Sequence, residues 1–453
     1  MTLSHGELVV LVEQQRALIA ALEATVASQA ATIARLEQRI RDLEDGRVPP
    51  RRTPGHKAAQ REPASQPRPP RRKRVENHAR RRSEPTARVE HAVSHCPDCG
   101  IALAGGSVKR TREVIEIVPV PATITEHVYV ERCCPGCGKR WTPRVDLDAQ
   151  VAGRSRLGIG LVSLIATMRS EWRLPIRAIQ AYLASVHCLR LSVGGIQGAL
   201  TQVARAGQQT VEQTRAAIRA SPVVHADETG WRESGRNRFI WCFSTPTHRY
   251  STCGSREKGM VDRVLGPAFS GVLVSDFYAA YDHYPGVQQK CWVHLLRDIH
   301  TLTRQYPDDE GVAGWARDVH ALYTSATTEA QGLTEATDET RSQAHRRYQA
   351  ELRELCQPFV AAEDAPQALL CRRIVKYLHA LLVFVVEPDV PSDNNPAERS
   401  VRHEVISRKI SGGTRSEAGT ETRMTLATLF GTWRAQGLSP FDACRSLFVS
   451  PQA

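Results

Sequence analysis

Two short stretches end in carboxylates that could share a reaction. Pro222 to Trp231, PVVHADETGW, begins with the β-prone residues Val223 and Val224 and reaches adjacent acids, Asp227 and Glu228. Gly271 to Asp276, GVLVSD, is a second, largely apolar strand that also ends in an acid. Two strands each ending in Asp at one sheet edge can hold two Mg²⁺ about 4 Å apart, one activating an attacking oxygen and the other stabilising a leaving oxygen. The third carboxylate such a site needs is offered by Ser392-Asp-Asn-Asn-Pro-Ala-Glu398-Arg399. Pro396 suits a first helical turn, with Asn395 as N-cap and Glu398 at the capping-box position. Glu398 therefore reads either as a cap or as a metal ligand at a helix N-terminus, where the dipole also favours a phosphate.

A second chemistry belongs to cysteine. Cys96-Pro-Asp-Cys99-Gly100 and Cys134-Pro-Gly-Cys137-Gly138 are matched tight turns. Each aims two thiolates at one point, and two such turns make a closed tetrahedral site for one structural Zn²⁺. Cys133 and His95 adjoin the turns, but spacing favours Cys134 over Cys133. Between the turns, Val114 to Val120 and Thr123 to Val130 alternate in places like the two strands of a zinc ribbon. The alternative is four reduced structural cysteines. Cys291-x-x-His294 reads either as a third reactive pair or as a buried Cys beside a satisfied His.

The elements around these residues set the context. The chain of 453 residues carries a formal net charge of +12, which speaks of partners rather than fold. Nucleic acid is the commonest partner of such a chain, and an anionic membrane the alternative. No signal peptide is visible, and no apolar run approaches the roughly 18 residues of a spanning helix. The expected location is cytoplasmic and nucleoid-associated, with no membrane partner.

Residues 8 to 43 keep a heptad register through Leu8, Val12, Ile19, Leu22, Val26, Ile33, Leu36, Ile40 and Leu43. β-Branched a positions and Leu at most d positions favour a parallel two-stranded coiled coil. The alternative is an amphipathic helix packed on its own domain. From Arg47 to about Arg88 the chain is rich in Pro and Arg, including Arg71, Arg72, Lys73, Arg74 and Arg80, Arg81, Arg82. It lacks the apolar residues for a core, and reads as a disordered arm along phosphates or as a solvated linker.

Leu157 to about Ala220 turns helical. Pro175 opens one segment and Ser192 caps another, Ile196 to Ile218, a pattern that allows a helix-turn-helix or a plain packing domain. Val223 to Asp227, Phe239 to Ser244 and His248 to Thr252 read as a three-stranded antiparallel meander. Met260 to Leu265 supplies a short helix. Cys291-Trp292 begin another strand before a helix at Leu295 to Thr303. Pro307 to Val386 is helical throughout. Met424, Ala427, Phe430 and Trp433 have core helical spacing, and Ser439-Pro440 starts a last helix.

HADETGW, VLVSDFYAAYD, CWVHLLRDI and SDNNPAERSVR occur in that order. They resemble the successive motifs of bacterial insertion-sequence transposases of the IS66 type, from roughly Leu157 to the end. The resemblance implies a DDE transposase with an RNase H-like core that cleaves element ends and joins the freed 3′-hydroxyl to target DNA. It implies a triad of Asp227, Asp276 and Glu398 holding Mg²⁺ or Mn²⁺, two per site. Glu228 and Asp282 are nearby acids left out of that triad. Arg399, Arg402, Arg408, Lys409 and Arg415, around Gly412-Gly413, are then candidate grips on end phosphates, with surface solvation as the alternative.

The expected fold is multidomain α/β. It comprises a coiled coil (1–46), a basic linker (47–90), a zinc-binding domain (91–150) and a helical domain (151–220). A mixed-sheet core follows, in two parts (221–305 and 389–453) around an all-helical insertion (306–388). The expected partners are DNA, a second copy of the chain through the coiled coil, and accessory proteins of the same element. The rival functions are a nuclease on the same core that does not join strands, and a non-catalytic zipper-and-zinc DNA-binding regulator.

Overall fold

A computed structural model describes residues 84–115, 117, 119–151, 155–333, 335–362 and 364–449, together with positions 15, 16, 19, 23, 26, 30 and 37, which are helical. The rest of the heptad stretch and the arm's Arg71, Arg72, Lys73, Arg74, Arg80, Arg81 and Arg82 lie outside the described residues. The chain divides into two units, Met1–Ile115 and Glu116–Ala453.

In the first unit the described residues from 84 onward are irregular apart from one turn and a bridge between His95 and Ala102. Gly100 N–H donates to the Cys96 carbonyl and Cys96 N–H to the Ile101 carbonyl, each at 2.9 Å. Gly100 takes φ +75°, which glycine adopts without strain.

The second unit starts with the same turn. Gly138 N–H donates to Cys134 and Cys134 N–H to Lys139, each at 2.8 Å. Here the turn is closed by two-residue strands, β1 (Arg132–Cys133) and β2 (Arg140–Trp141), paired antiparallel. The strands expected over Val114 to Val120 and Thr123 to Val130 are not formed among the described residues, whose apolar side chains are exposed. Alternation alone does not make a strand.

Four helices follow: α1 (Ile159–Ser170), α2 (Ile176–His187), α3 (Val193–Ala206) and α4 (Gln208–Arg219). Pro175 and Ser192 cap α2 and α3 as the sequence suggests, Ser192 Oγ accepting from Gly195 N–H at 3.0 Å. The single helix expected over Ile196 to Ile218 is instead broken at Gly207. A Cβ there would lie 2.3 Å from Leu429 Cδ1, so close packing sets the break.

The sheet has five strands in the order β5-β4-β3-β6-β7. They are β3 (Val223–Glu233), β4 (Arg236–Ser244), β5 (Arg249–Gly254), β6 (Val272–Ser275) and β7 (Gln288–Lys290). β3, β4 and β5 form the antiparallel meander, while β6 and β7 run parallel to β3. Helix α5 (Gly259–Leu265) joins α4 on one face, where Ile218, Val224, Ala226, Trp241, Phe243 and Tyr281 are buried together.

Helix α6 (Trp292–Gln305) leaves β7 and enters a helical block made by α7 (Glu310–Gly332), α8 (Asp338–Val360) and α9 (Ala368–Lys376). Two one-turn helices, Leu378–Leu381 and Val383–Val386, lead back to the sheet. The strand expected to begin at Cys291-Trp292 ends instead at Lys290, and Cys291 caps α6.

The chain closes with α10 (Asn395–Ser411), α11 (Glu417–Ala435) and α12 (Pro440–Val449). Leu426, Leu429, Phe430 and Trp433 of α11 pack with Ile165, Ile179, Ile196 and Val203 of the first helices. The result is a mixed α/β fold in which the last helices cover the other face of the sheet.

Candidate active site

Sheet register brings the two candidate aspartates to one level. His225 pairs in parallel with Val274, and Asp227 and Asp276 each lie two residues beyond that pair. β3 does not stop at Asp227, as the sequence reading supposed. It runs six residues further, paired with β4 up to Glu233 and Arg236. Asp227 is thus mid-strand, at the point where β6 has ended and its side of β3 is uncovered. Side chains alternate along a strand, so Asp227 and Glu228 face opposite ways. Glu228 turns toward the buried aromatic face. There Tyr281 Oη donates to its Oε2 at 2.7 Å and Arg256 Nη2 to its Oε1 at 2.9 Å, and its side chain is 4% exposed.

Electrostatics mark Asp227 out. Burial and the charges of Glu228, Asp276 and Glu398 push its carboxyl up to about 8, against the opposing pull of one hydrogen bond from Glu228 N–H. Burial and the charge of Asp276 also raise Glu228, against the pull of Tyr281 and Arg256. Repulsion between confined carboxylates is what a bound cation relieves.

Glu398 reaches this place through a set of tethers. Asn394, 1% exposed, donates from Nδ2 to the Ala226 carbonyl at 2.7 Å and accepts at Oδ1 from His225 Nδ1 at 3.1 Å. Its N–H donates to Cys291 Sγ at 3.2 Å, and Trp292 N–H donates to the Ser392 carbonyl at 2.9 Å. The start of α10 is therefore fastened to both β3 and α6. Helix α10 begins at Asn395 with Asn394 as the flanking residue and no side-chain cap bond. The expected capping box, with Asn395 as N-cap, is not made. Glu398 Oε1 has no hydrogen-bond partner, and neither does His294 Nδ1, 3.5 Å away. Ligand atoms of Cys291, His294 and Glu398 all lie within 4.8 Å of one another.

Comparison with known sequences identifies the family. The profile of the Transposase IS66 family matches residues 154–422, from the helices before β3 into α11. This chain belongs to the IS66 transposase family. Two relatives in Sinorhizobium fredii are also similar to it, both named only as uncharacterized proteins. One, y4qI, is 28% identical over 217 residues, covering 44% of this chain and 39% of that protein. The other, y4jD, is 24% identical over 367 residues, covering 73% of this chain and 70% of that protein. In the first alignment this chain thus spans about two fifths of its relative's length.

The IS66 match excludes the two cysteine turns, which stand on their own features. Backbone N–H groups of Cys99 and Asp98, with the Cys99 side chain, hold the Cys96 thiol below its ordinary value. Cys137 and Gly136 do the same for Cys134. Cys133, by contrast, turns its Sγ to the Gly138 carbonyl at 3.5 Å.

Of the basic residues late in the family match, Arg399, Arg402, Lys409 and Arg415 are exposed. Arg408 is partly buried and bonded to β3, through the Gly230 carbonyl and Thr229 Oγ1. The loop after α10 is also fixed to β3. Thr414 N–H donates to the Arg232 carbonyl at 2.9 Å, and Trp231 Nε1 to Thr414 Oγ1 at 3.0 Å.

Sequence reasoning missed several buried charges, among them Glu404, Arg423 and Lys290. Lys290, 0% exposed, pairs with Asp282 at 3.2 Å and donates to Ser275 Oγ at 3.2 Å, beside Asp276. Burial lowers its pKa despite Asp282. A lysine ending a three-residue strand carries no signal of that environment in sequence. Among the described residues no helix is long and apolar enough to cross a membrane.

Proposed function

We propose that this chain is a DNA transposase of the DDE type, acting through an RNase H-like core in which Asp227, Asp276 and Glu398 hold two divalent cations. The observation that carries this reading is the alignment of Asp227 with Asp276 across the β3–β6 register, with Asp227 repelled by both Asp276 and Glu398. An antiparallel β5-β4-β3 meander continued by two parallel strands is the sheet an RNase H-like core requires. The oxygen-only donor set suits Mg²⁺ or Mn²⁺. When bound, such ions activate the attacking oxygen and stabilise the leaving one.

The protein's own residues divide the remaining work. Asp227 gives up its proton as a cation arrives. Asn394 fixes the entry of α10, and so the direction of Glu398. Arg399, Arg402, Lys409 and Arg415 offer exposed cations to phosphates of an element end, while Arg408 holds β3 against α10. The basic arm, with Arg71–Arg74 and Arg80–Arg82, adds salt-sensitive affinity. Cys96, Cys99, Cys134 and Cys137 hold one structural Zn²⁺. The heptad segment, 1–46, pairs two protomers so that both element ends are processed together, with accessory proteins of the element as further partners. The domain limits follow the sequence reading: linker 47–90, zinc module 91–150, helical and potentially DNA-reading domain 151–220, and core 221–305 and 389–453 around the insertion 306–388. The protein acts in the cytoplasm, on the nucleoid.

A strand-transfer assay with full-length protein, Mg²⁺ and a labelled element end tests this. Asp276→Asn should lower joining by about 10³-fold, the equivalent of about 4 kcal/mol. Unchanged joining would sink the assignment. Metal-dependent nicking without joined product would instead leave a nuclease that does not transfer strands.

A further inference from the structure

We infer that Cys291, His294 and Glu398 form a separate binding site for one soft divalent cation, Zn²⁺ in the first instance. This goes beyond the three-carboxylate reading, which needs neither Cys291 nor His294.

Three different donors meet here from two elements. Cys291 flanks the start of α6 and His294 lies three residues on, so both side chains lie on one helix face. Glu398 comes from the first turn of α10. Their ligand atoms are mutually within 4.8 Å. A tetrahedral Zn²⁺ with bonds of about 2.0–2.3 Å sets its ligand atoms roughly 3.3–3.8 Å apart. The His294 Nδ1 to Glu398 Oε1 separation, 3.5 Å, already meets that spacing.

These two atoms are also what a purely structural role leaves unexplained. Both are shielded from solvent and neither has a hydrogen-bond partner. The two atoms lie at ion-pair distance from each other and make no hydrogen bond, and a shared cation satisfies both at once. The reading of Cys291-x-x-His294 as a buried Cys beside a satisfied His rests, for the His, on the 3.5 Å contact with Glu398 alone, since His294 Nδ1 makes no hydrogen bond. Cys291 is fully buried, and its sulfur accepts the Asn394 N–H, the kind of outer-shell contact that orients a ligating sulfur.

The donor set decides the ion. Sulfur and imidazole select Zn²⁺ over Mg²⁺, which prefers oxygen. Three protein ligands leave a fourth position for water. Because Glu398 serves both sites, occupancy here draws on a carboxylate that the Asp227 and Asp276 site also uses.

The test counts bound metal in the full-length chain after loading with Zn²⁺ and exhaustive dialysis. It compares wild type with Cys291→Ser, His294→Ala and Asp276→Asn, each first shown to keep the wild-type melting transition. The cysteine turns are intact in all four proteins and contribute equally. Cys291→Ser and His294→Ala should each lose one equivalent, and Asp276→Asn should lose none. Loading with Co²⁺ should show a thiolate-to-cobalt band that weakens in Cys291→Ser. Equal metal counts in wild type and His294→Ala would overturn the site. Loss of an equivalent in Asp276→Asn but not in Cys291→Ser would also overturn it, by assigning the ion to the carboxylates. Failure of strand transfer to depend on Asp276 would refute the transposase site while leaving this count untouched.

Discussion

Replacing Asp227 by Asn should make the metal-free protein more stable at alkaline pH while disabling it. The carboxyl of Asp227 is pushed up to about 8 in the folded chain, from an ordinary value of 3.8. Between those values the folded protein keeps a proton that the unfolded chain releases. Stability therefore falls as pH rises through that window and levels off above it. The rise from 3.8 to about 8 corresponds to an upper bound of about 6 kcal/mol, at about 1.4 kcal/mol per pH unit. Asparagine has the same shape and no charge, and its Oδ1 can still accept the Glu228 N–H that Asp227 accepts at 2.8 Å. In chelator, Asp227→Asn should match wild type near pH 4 and exceed it by about 2–5 kcal/mol above pH 8. The assay is urea unfolding across that range, followed by fluorescence of the buried Trp231 and Trp241. Added Mn²⁺ or Mg²⁺ should stabilise wild type and not the variant, closing the gap. Parallel pH profiles for the two proteins, or a variant less stable than wild type at pH 9 in chelator, would refute the account of mutual carboxylate repulsion.

Other residues give sharper local tests. Asn394→Ala strands His225 Nδ1 and the Ala226 carbonyl. It should cost about 2–4 kcal/mol and lower metal-dependent joining while leaving affinity for element-end DNA unchanged in a gel-shift assay. Lys290→Met leaves Asp282 without its buried partner and should destabilise by about 3 kcal/mol in thermal unfolding. Gly413 has φ +125°, and a Cβ there would sit 2.1 Å from the Arg232 carbonyl oxygen. Gly413→Ala should cost about 1–3 kcal/mol and speed hydrogen exchange at Thr414 N–H.

Much of the candidate site is legible in the sequence because it follows local rules. Apolar runs ending in acids mark β3 and β6, the Asn-Pro step marks the start of α10, and paired C-P-x-C-G units mark the cysteine turns. Helical periodicity outlines the insertion, since each of its helices buries one stripe of side chains. Local pattern misleads where packing intervenes. Gly207 ends a helix because Leu429 leaves no room for a Cβ. Cys291 caps a helix rather than opening a strand because β7 loses its partner once β6 ends at Ser275. The described residues of 114–120 and of 123–130 form no strand although their sequence alternates.

By itself the sequence determined which residue types are available: three separated carboxylates, two cysteine turns, a heptad segment and a basic arm. The tertiary structure decided which of them meet. A parallel register between strands far apart in the chain sets Asp227 level with Asp276, and strand alternation sends Glu228 to the other face. Asn394 ties the start of α10 to β3 and α6, and so brings Glu398 to Cys291 and His294. Those meetings depend on pairing and burial between distant segments, which spacing along the chain does not encode.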